Sequence, residues 1–328
     1  MLDSIFESIQ VVELPTKTSF RSVQSREVLL IEGPAGWGEF SPFLEYEPGE
    51  CVPWLVSAIE SAYVVPPTPL REWIPINATM PAVNGEENIA EILSWFPGAT
   101  SVKVKVGLDK REDLARIQII RKLIPDVKIR LDVNGMWSVD DAVDFLEQIS
   151  ASGEIEYVEQ PCATEAELRE LKRKLSIPML IAGDEIIRKS TNPIRLQLDG
   201  VVDIVALKVA PLGGIKRSLE LAKHFNMPLV VSSALDSAVG ISHGLRLASA
   251  VSQLPFACGL GTGALLAKDL YELPIVNGAI QLRSMTPNPQ ILTQCAVSHE
   301  RMDWWRERVR QTWHTGADKW IAKEGWLS

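Results

Sequence analysis

Between Ile74 and Leu260 the chain repeats one pattern: a short apolar run, then a longer amphipathic segment. The runs are IPINAT from Ile74, SVKVKV from Ser101, VKIRLDV from Val127 and IEYVEQ from Ile155. MLIAGD from Met179, VDIVALK from Val202, LVVSS from Leu229 and FACGL from Phe256 complete the series. Their spacing is roughly 22–28 residues, the length of one strand, one helix and two short loops. The intervening segments carry helical periodicity: in KREDLARIQIIRKLI, Leu114, Ile117, Ile120 and Leu123 share one side. Ser138 before Asp141 and Thr164 before Glu167 resemble capping boxes that start the next two helices. Eight strands alternating with helices predict a (β/α)8-type barrel. An open doubly wound sheet would need a nucleotide loop after an early strand, and neither GxGxxG nor GxxxxGK[ST] is present.

The flanks read differently. Residues 1–73 hold strand signals such as REVLLIE, the turn GPAGWGE, a helix-like stretch from about 49 to 63, and the stiff VPPTP hinge. Residues 271–328 hold short strand fragments and five tryptophans, Trp304, Trp305, Trp313, Trp320 and Trp326. The expected organisation is a capping domain from residues 1–73 and 271–328 around a barrel over 74–270. The mixed charge of WWRERVRQTW favours packing against the N-terminal segment over a membrane role.

Composition narrows the function classes. The 328 residues carry 33 Lys+Arg against 42 Asp+Glu, a net charge of −9, which opposes nucleic acid and anionic membranes as partners. No apolar run approaches ~18 residues, and MLDSIFESIQ lacks the basic start of a signal peptide. Cys51, Cys162, Cys258 and Cys295 form no CxxC pair, so reduced thiols in a cytoplasmic protein are expected. The four histidines, His224, His243, His299 and His314, show no zinc-site spacing.

In a barrel the reactive side chains gather at the C-terminal ends of the strands, where residues two apart share a face. That filter selects Lys103 and Lys105 on the second strand, and Arg130, Asp132 and Asn134 on the third. It then selects Glu159, Asp184, Lys208, Ser232 with Ser233, and Gly259 with Gly261, in order. Taken singly, each carboxylate reads more simply as a helix cap, and each lysine as a solvated surface residue. Together, three successive strands ending in carboxylates would repel strongly without a cation. All-oxygen ligands point to Mg2+, or Mn2+, on Asp132, Glu159 and Asp184. Lysines on opposite walls suit removal of a proton next to a substrate carboxylate. A lysine becomes a base when nearby positive charge lowers its pKa, as Lys103 and the metal would do for Lys105.

KVK, DVNG, VEQP, GDE and LKVAPLGG, in this order and at these spacings, resemble the enolase superfamily in its muconate-lactonizing subgroup, over essentially the whole chain. The resemblance implies a modified (β/α)7β TIM-type barrel with an α+β cap built from the N-terminal segment and the C-terminal tail. FRSVQSREVLL, GWGEFSPF, Arg130 before DVN, and SSALDSAVG narrow it to a dehydrating branch. The implied reaction is loss of water from 2-succinyl-6-hydroxy-2,4-cyclohexadiene-1-carboxylate to give 2-succinylbenzoate. Within it Lys105 would be the base, Lys208 would stabilise the enediolate from the other face, and Asp132, Glu159 and Asp184 would hold the metal. Lys103, Arg130 and Asn134 would support those groups. Ser232, Ser233 and Gly259 would hold the succinyl tail, and Phe20 and Arg21 would lie on a loop closing over the site.

Two opposed lysines also suit 1,1-proton transfer, so N-acylamino acid racemisation is the alternative. A dipeptide epimerase would carry a DxD pair where this chain reads GLGTG, and a mandelate-type enzyme would place a histidine base near the sixth or seventh strand. A binding protein that had lost activity would lack a lysine or a carboxylate, and none is missing here. The expected partner is a small carboxylate substrate.

Overall fold

The computed structural model describes residues 2–20 and 23–326. Helix α1 (Leu2–Glu7) leads into an antiparallel meander of β1 (Ile9–Phe20), β2 (Val23–Gly33) and β3 (Gly36–Phe40). Helix α2 (Pro48–Tyr63) lies directly on β3. The approach depends on Gly38, where a Cβ would stand 1.9 Å from the Ala58 carbonyl oxygen. Only glycine lets the helix backbone come so close.

After β4 (Trp73–Pro75) the parallel sheet begins. Its strands are β5 (Ala78–Met80), β6 (Ser101–Lys105), β7 (Lys128–Asp132), β8 (Ile155–Glu159), β9 (Ile181–Gly183), β10 (Ile204–Lys208) and β11 (Leu229–Ser232), neighbours in sequence order. Helices α3 (Glu86–Ser94), α4 (Lys110–Leu123), α5 (Val139–Ser150) and α6 (Glu165–Lys174) alternate with the earlier strands. The short α7 (Glu185–Arg188) and α8 (Val209–Leu212), then α9 (Ile215–Phe225) and α10 (Ala238–Ala250), alternate with the later ones. Val102, Val104, Ile129 and Leu131 face outward into one core with Ile117 and Ile120 of α4. The alternate residues therefore point into the barrel, as strand pleating requires.

Two strand expectations need correction. The run at Ile74 splits: Trp73–Pro75 joins a different sheet, and only Ala78–Met80 enters the barrel. FACGL is not a strand. It contributes two parallel bridges, Ile76 with Cys258 and Ser232 with Gly259, which close the ring between β5 and β11. The chain then passes into a single 3₁₀ turn, Thr262–Leu265, and leaves the barrel sheet.

The tail adds β12 (Ile275–Val276) and β13 (Ala279–Gln281), paired with β4, followed by α11 (Pro289–Gln294), α12 (His299–Thr312) and α13 (Asp318–Glu324). A second core then unites the two ends of the chain: Leu29, Ile31, Phe40, Trp54 and Ile59 pack with Trp305, Val309 and Ile321. Trp305 meets Phe40 edge to face at 5.8 Å, and its indole N–H donates to Glu27 Oε2 at 2.6 Å. Among the described residues no helix is long and apolar enough to cross a membrane.

Helix starts follow local chemistry. Asp109 accepts from the amides of Arg111 and Glu112 at the head of α4. Thr164 and Glu167 form a complete capping box on α6. Ser138 makes only half of one, because the Asp141 carboxylate takes the Ser138 hydroxyl.

Candidate active site

Register brings the charged residues together. Lys105 is opposite Asp132, Asp132 is opposite Glu159, and Lys208 is opposite Ser232. Beneath them the barrel is filled by Tyr157, Ala182, Ile204, Ala206 and Val230. That apolar layer denies water to the charges above it, so each must find a partner within the protein.

They do so pairwise. The Lys103 ammonium donates to both Glu159 oxygens at 2.7 Å and stands 3.2 Å from Asp132 Oδ2. Lys105 Nζ donates to Asp132 Oδ2 at 2.6 Å and to Asn134 Oδ1 at 2.8 Å. Lys208 Nζ donates to Asp184 Oδ2 at 2.5 Å. Lys103, Lys105, Asp132, Asn134, Lys208, Ser232, Ser233 and Gly259 all line one cavity of about 30 Å³, with Phe20, Thr79 and Thr262. This is room for about one water. The Phe20 ring centre lies 5.5 Å from Lys105 Nζ.

The electrostatics differ between the lysines. Burial pushes the Lys105 pKa down, and the charges of Lys103 and Lys208 add to this beyond what Asp132 restores. Burial acts the same way on Lys103, but Asp132 and Glu159 outweigh it and hold the group well above the usual lysine range. Burial would raise Asp132 and Asp184, yet the surrounding lysines win: Asp132 is lowered, and Asp184 is lowered to about 2. Glu159 goes up, because its burial exceeds the help from Lys103.

One expected residue is turned away from the charged cluster. Arg130 points into the barrel one step before Asp132, but its guanidinium turns away from the carboxylates. It donates to Glu156 Oε2 at 2.5 Å, Asn77 Oδ1 at 3.0 Å and the Ala257 carbonyl at 2.6 Å, and lies over the Tyr157 ring. It therefore braces the barrel interior, with Glu156 as its carboxylate partner. Arg21 lies outside the described residues.

Ser233 Oγ donates to the Gly259 carbonyl at 2.7 Å and meets Thr262 Oγ1 at 2.8 Å. A Cβ on Gly259 would come within 2.5 Å of Ser232 Oγ, so glycine keeps the two strand ends in contact.

Gln160 was not singled out by the strand-end filter. It is fully buried, and its Oε1 accepts from the amides of Asp184 and Ile186 at 3.0 and 3.3 Å, while its Nε2 donates to the Cys162 carbonyl. Glu185 and Arg188 continue the network: Asn134 Nδ2 donates to Glu185 Oε1, which also accepts from Arg188. Arg188 in turn reaches the Tyr46 hydroxyl at 3.2 Å, tying the site to the loop before α2. Gln160 and Glu185 sit inside the VEQP and GDE segments. Their motifs were visible, but their outward neighbours gave no cue to these bonds.

Among the described residues no three carboxylates, imidazoles or thiols stand close enough to form a ready cage. Ammonium groups lie between the carboxylates instead. Asp132 Oδ1 and Asp184 Oδ1 are nevertheless buried with no hydrogen-bond partner, and Arg188 Nε stays 3.5 Å from the latter. Unpaired, buried, anionic oxygens at the ends of β7 and β9, on either side of the Glu159 strand, fit a hard divalent cation.

A family model described as enolase C-terminal domain-like matches residues 90–287, and one described as enolase N-terminal domain-like matches residues 11–62. An o-succinylbenzoate synthase of Mycolicibacterium smegmatis is 48% identical over 312 residues, 94% of this chain and 96% of that one. The corresponding protein of Mycobacterium ulcerans is 47% identical over 313 residues, 94% of each chain. Among solved structures, muconate lactonizing enzyme from Pseudomonas putida superposes with a TM-score of 0.72 at 19% identity, covering 88% of this chain and 98% of that one. N-succinyl Arg/Lys racemase from Bacillus cereus gives 0.73 at 20% identity, covering 88% and 97%. At these identities the two structures speak for the fold alone.

Proposed function

The chain belongs to the enolase superfamily, and from that premise we propose that it dehydrates 2-succinyl-6-hydroxy-2,4-cyclohexadiene-1-carboxylate to 2-succinylbenzoate. The observation that carries this is the ring of three carboxylates and three lysines on neighbouring strand ends. The reaction named for the relatives at 46–48% identity supports it.

Superfamily members bind a divalent metal, and in this chain Asp132, Glu159 and Asp184 would hold Mg2+. When bound it supplies positive charge to the substrate carboxylate next to the acidic proton. Lys105, its pKa lowered by burial, takes the proton from the ring carbon bearing that carboxylate. The electron pair left on carbon expels the hydroxyl at the neighbouring ring carbon. The proton held on Lys105 Nζ leaves with that oxygen as water, and the ring becomes aromatic. Lys208, on the opposite wall, keeps its ammonium against the negative charge that builds on the carboxylate oxygens. Ser232, Ser233 and Gly259 line the end where the succinyl tail would lie. Lys103 holds Glu159 in place. The partner this requires is a small dicarboxylate, and the chemistry calls for neither nucleic acid nor a membrane.

An ultraviolet assay for 2-succinylbenzoate tests the reading directly. Activity should vanish on chelation and return with Mg2+ or Mn2+. Turnover that survives exhaustive chelation would overturn the metal-assisted reaction. A second reading, racemisation of N-succinyl amino acids, is favoured by the facing of Lys105 and Lys208 across one cavity. Exchange of the α-proton with solvent deuterium on such substrates measures it.

A further inference from the structure

A second cavity, of about 850 Å³, opens between the cap and the barrel, away from the charged cluster. Its walls are the β2–β3 turn, the end of α2 with the Val64–Pro67 segment, the outer face of α9, and residues 284–286. Its floor is α10, through Val239, Ser242, His243 and Arg246. The size is that of a small-molecule site, whereas the catalytic cavity holds about 30 Å³.

The charges in this cleft are unevenly matched. The Glu60 carboxylate accepts from the amides of Ile215 and Lys216 at the start of α9. Lys216 Nζ is 2.5 Å from Glu324, and Glu220 is 3.3 Å from Arg217. Arg246 has no such partner. It is half-buried on the cleft floor, and among the described residues no carboxylate or carbonyl pairs with its guanidinium. Lys223 adds a second unmatched cation at the mouth, and the exposed Glu32 is the one unmatched anion. A half-buried guanidinium with no carboxylate partner leaves its donors free for an anion that enters the cleft.

Beside the hydroxyls of Ser61, Ser242, Ser284 and Thr286, the rest of the lining is largely apolar or aromatic. Val64, Val65, Pro66, Leu219 and Met285 form the lip, and Trp37 and Tyr271 stand inside. Val65 is 82% exposed. His243 Nε2 donates to the Trp37 carbonyl at 2.9 Å, which fixes the tautomer and leaves Nδ1 as an acceptor. The imidazole adds no charge, because burial pushes its pKa down to about 4.

We infer that this cleft is a second ligand site, distinct from the catalytic one, for a small aromatic carboxylate whose carboxylate pairs with Arg246 and whose ring lies between Trp37 and the apolar lip. A planar guanidinium takes a carboxylate through two parallel hydrogen bonds, and an aromatic body covers the surface that Val65 and Leu219 leave open. The inference does not rest on the reaction proposed above. Helix α10 borders both places: its first turn follows the Ser233–Leu235 segment that lines the catalytic cavity.

The test is isothermal titration of the full chain with 2-naphthoate, with uncharged 2-naphthamide as the control. One saturable site is expected for naphthoate, with the amide binding about tenfold more weakly or worse. Arg246→Gln should weaken naphthoate binding by about tenfold or more, and Lys223→Glu by several-fold, with turnover of both variants within about twofold of the parent. Lys223 is exposed, so its replacement leaves folding untouched. No saturable binding to the parent would overturn the inference. So would unchanged affinity in Arg246→Gln, or in Lys223→Glu if the first variant does not fold, since that pattern places naphthoate in the catalytic cavity.

Discussion

Lys208 Nζ and Asp184 Oδ2 stand 2.5 Å apart between β10 and the end of β9, both almost wholly buried. Without the ammonium, Asp184 keeps one ion-pair partner among the described residues, Arg188, at 3.5 Å. Breaking a buried pair by removing one partner costs about 3–5 kcal/mol, because the other charge is stranded. Lys208→Ala should therefore lower the melting temperature in chelator and cut turnover by about 10²–10⁴-fold. Added Mg2+ should raise the melting temperature of this variant more than that of the parent, since the stranded carboxylate needs a cation. Melting curves with and without Mg2+ check this, and an equal rise in both would refute it.

Lys105→Ala should behave differently. Asp132 keeps the Lys103 ammonium at 3.2 Å, so no carboxylate is stranded. Turnover should fall by about 10²–10⁴-fold while the melting temperature stays within a few degrees. Near-normal turnover would remove Lys105 from the role of base.

Gln160→Leu tests the support beneath Asp184. The substitution removes the acceptor for the Asp184 and Ile186 amides but leaves every charge in place. Loss of such a bond costs about 10–100-fold in metal affinity. The Mg2+ concentration for half-activation should rise by that factor, with turnover at saturating Mg2+ near the parent value.

Glu39 carries a pH dependence. This carboxylate of β3 caps α10, accepting from Ser237 Oγ at 2.5 Å and the Gly240 amide at 2.8 Å. Burial, with Asp236 nearby, raises its pKa to about 7, from an ordinary value of 4.5. Between those values the folded chain holds a proton that the unfolded chain has released. Its contribution to stability is therefore full below about pH 4.5 and is lost as pH rises to about 7. Glu39→Gln should gain stability relative to the parent across that window and hold the gain above it. Denaturant melts at pH 5 and pH 8 measure the difference, and a gain shrinking with pH would contradict the sign.

Gly38→Ala should destabilise the cap by about 1–3 kcal/mol, because its methyl meets the Ala58 carbonyl and α2 must move off β3. Chemical denaturation followed by the fluorescence of Trp54 and Trp305, both in the cap core, reports it.

Much of the barrel was legible in the sequence because its signals are local. Pleating puts Lys103 with Lys105 on one side of a strand and Val102 with Val104 on the other, and any reader of the alternation recovers this. FACGL misled for the same local reason. Its apolar residues suit a strand, but whether they pair along a length or through two bridges depends on where β5 and β11 end. Arg130 shows what periodicity leaves open. It shares the inward parity of Asp132, yet parity does not say toward which end of the barrel a long side chain will reach, and Glu156 decides that.

The sequence by itself determined which residues face inward, that three carboxylates and three lysines meet at one end of a barrel, and the chemistry such a meeting permits. These follow from periodicity and charge, which are properties of short segments. Only the tertiary structure decided how those charges are shared: Lys103 on Glu159, Lys105 on Asp132, Lys208 on Asp184. It also decided that Gln160 carries the Asp184 amide, and that Arg246 faces a cleft with no carboxylate partner among the described residues. Those outcomes depend on distances between segments far apart in the chain, and on the loss of water around them, which no short stretch of residues encodes.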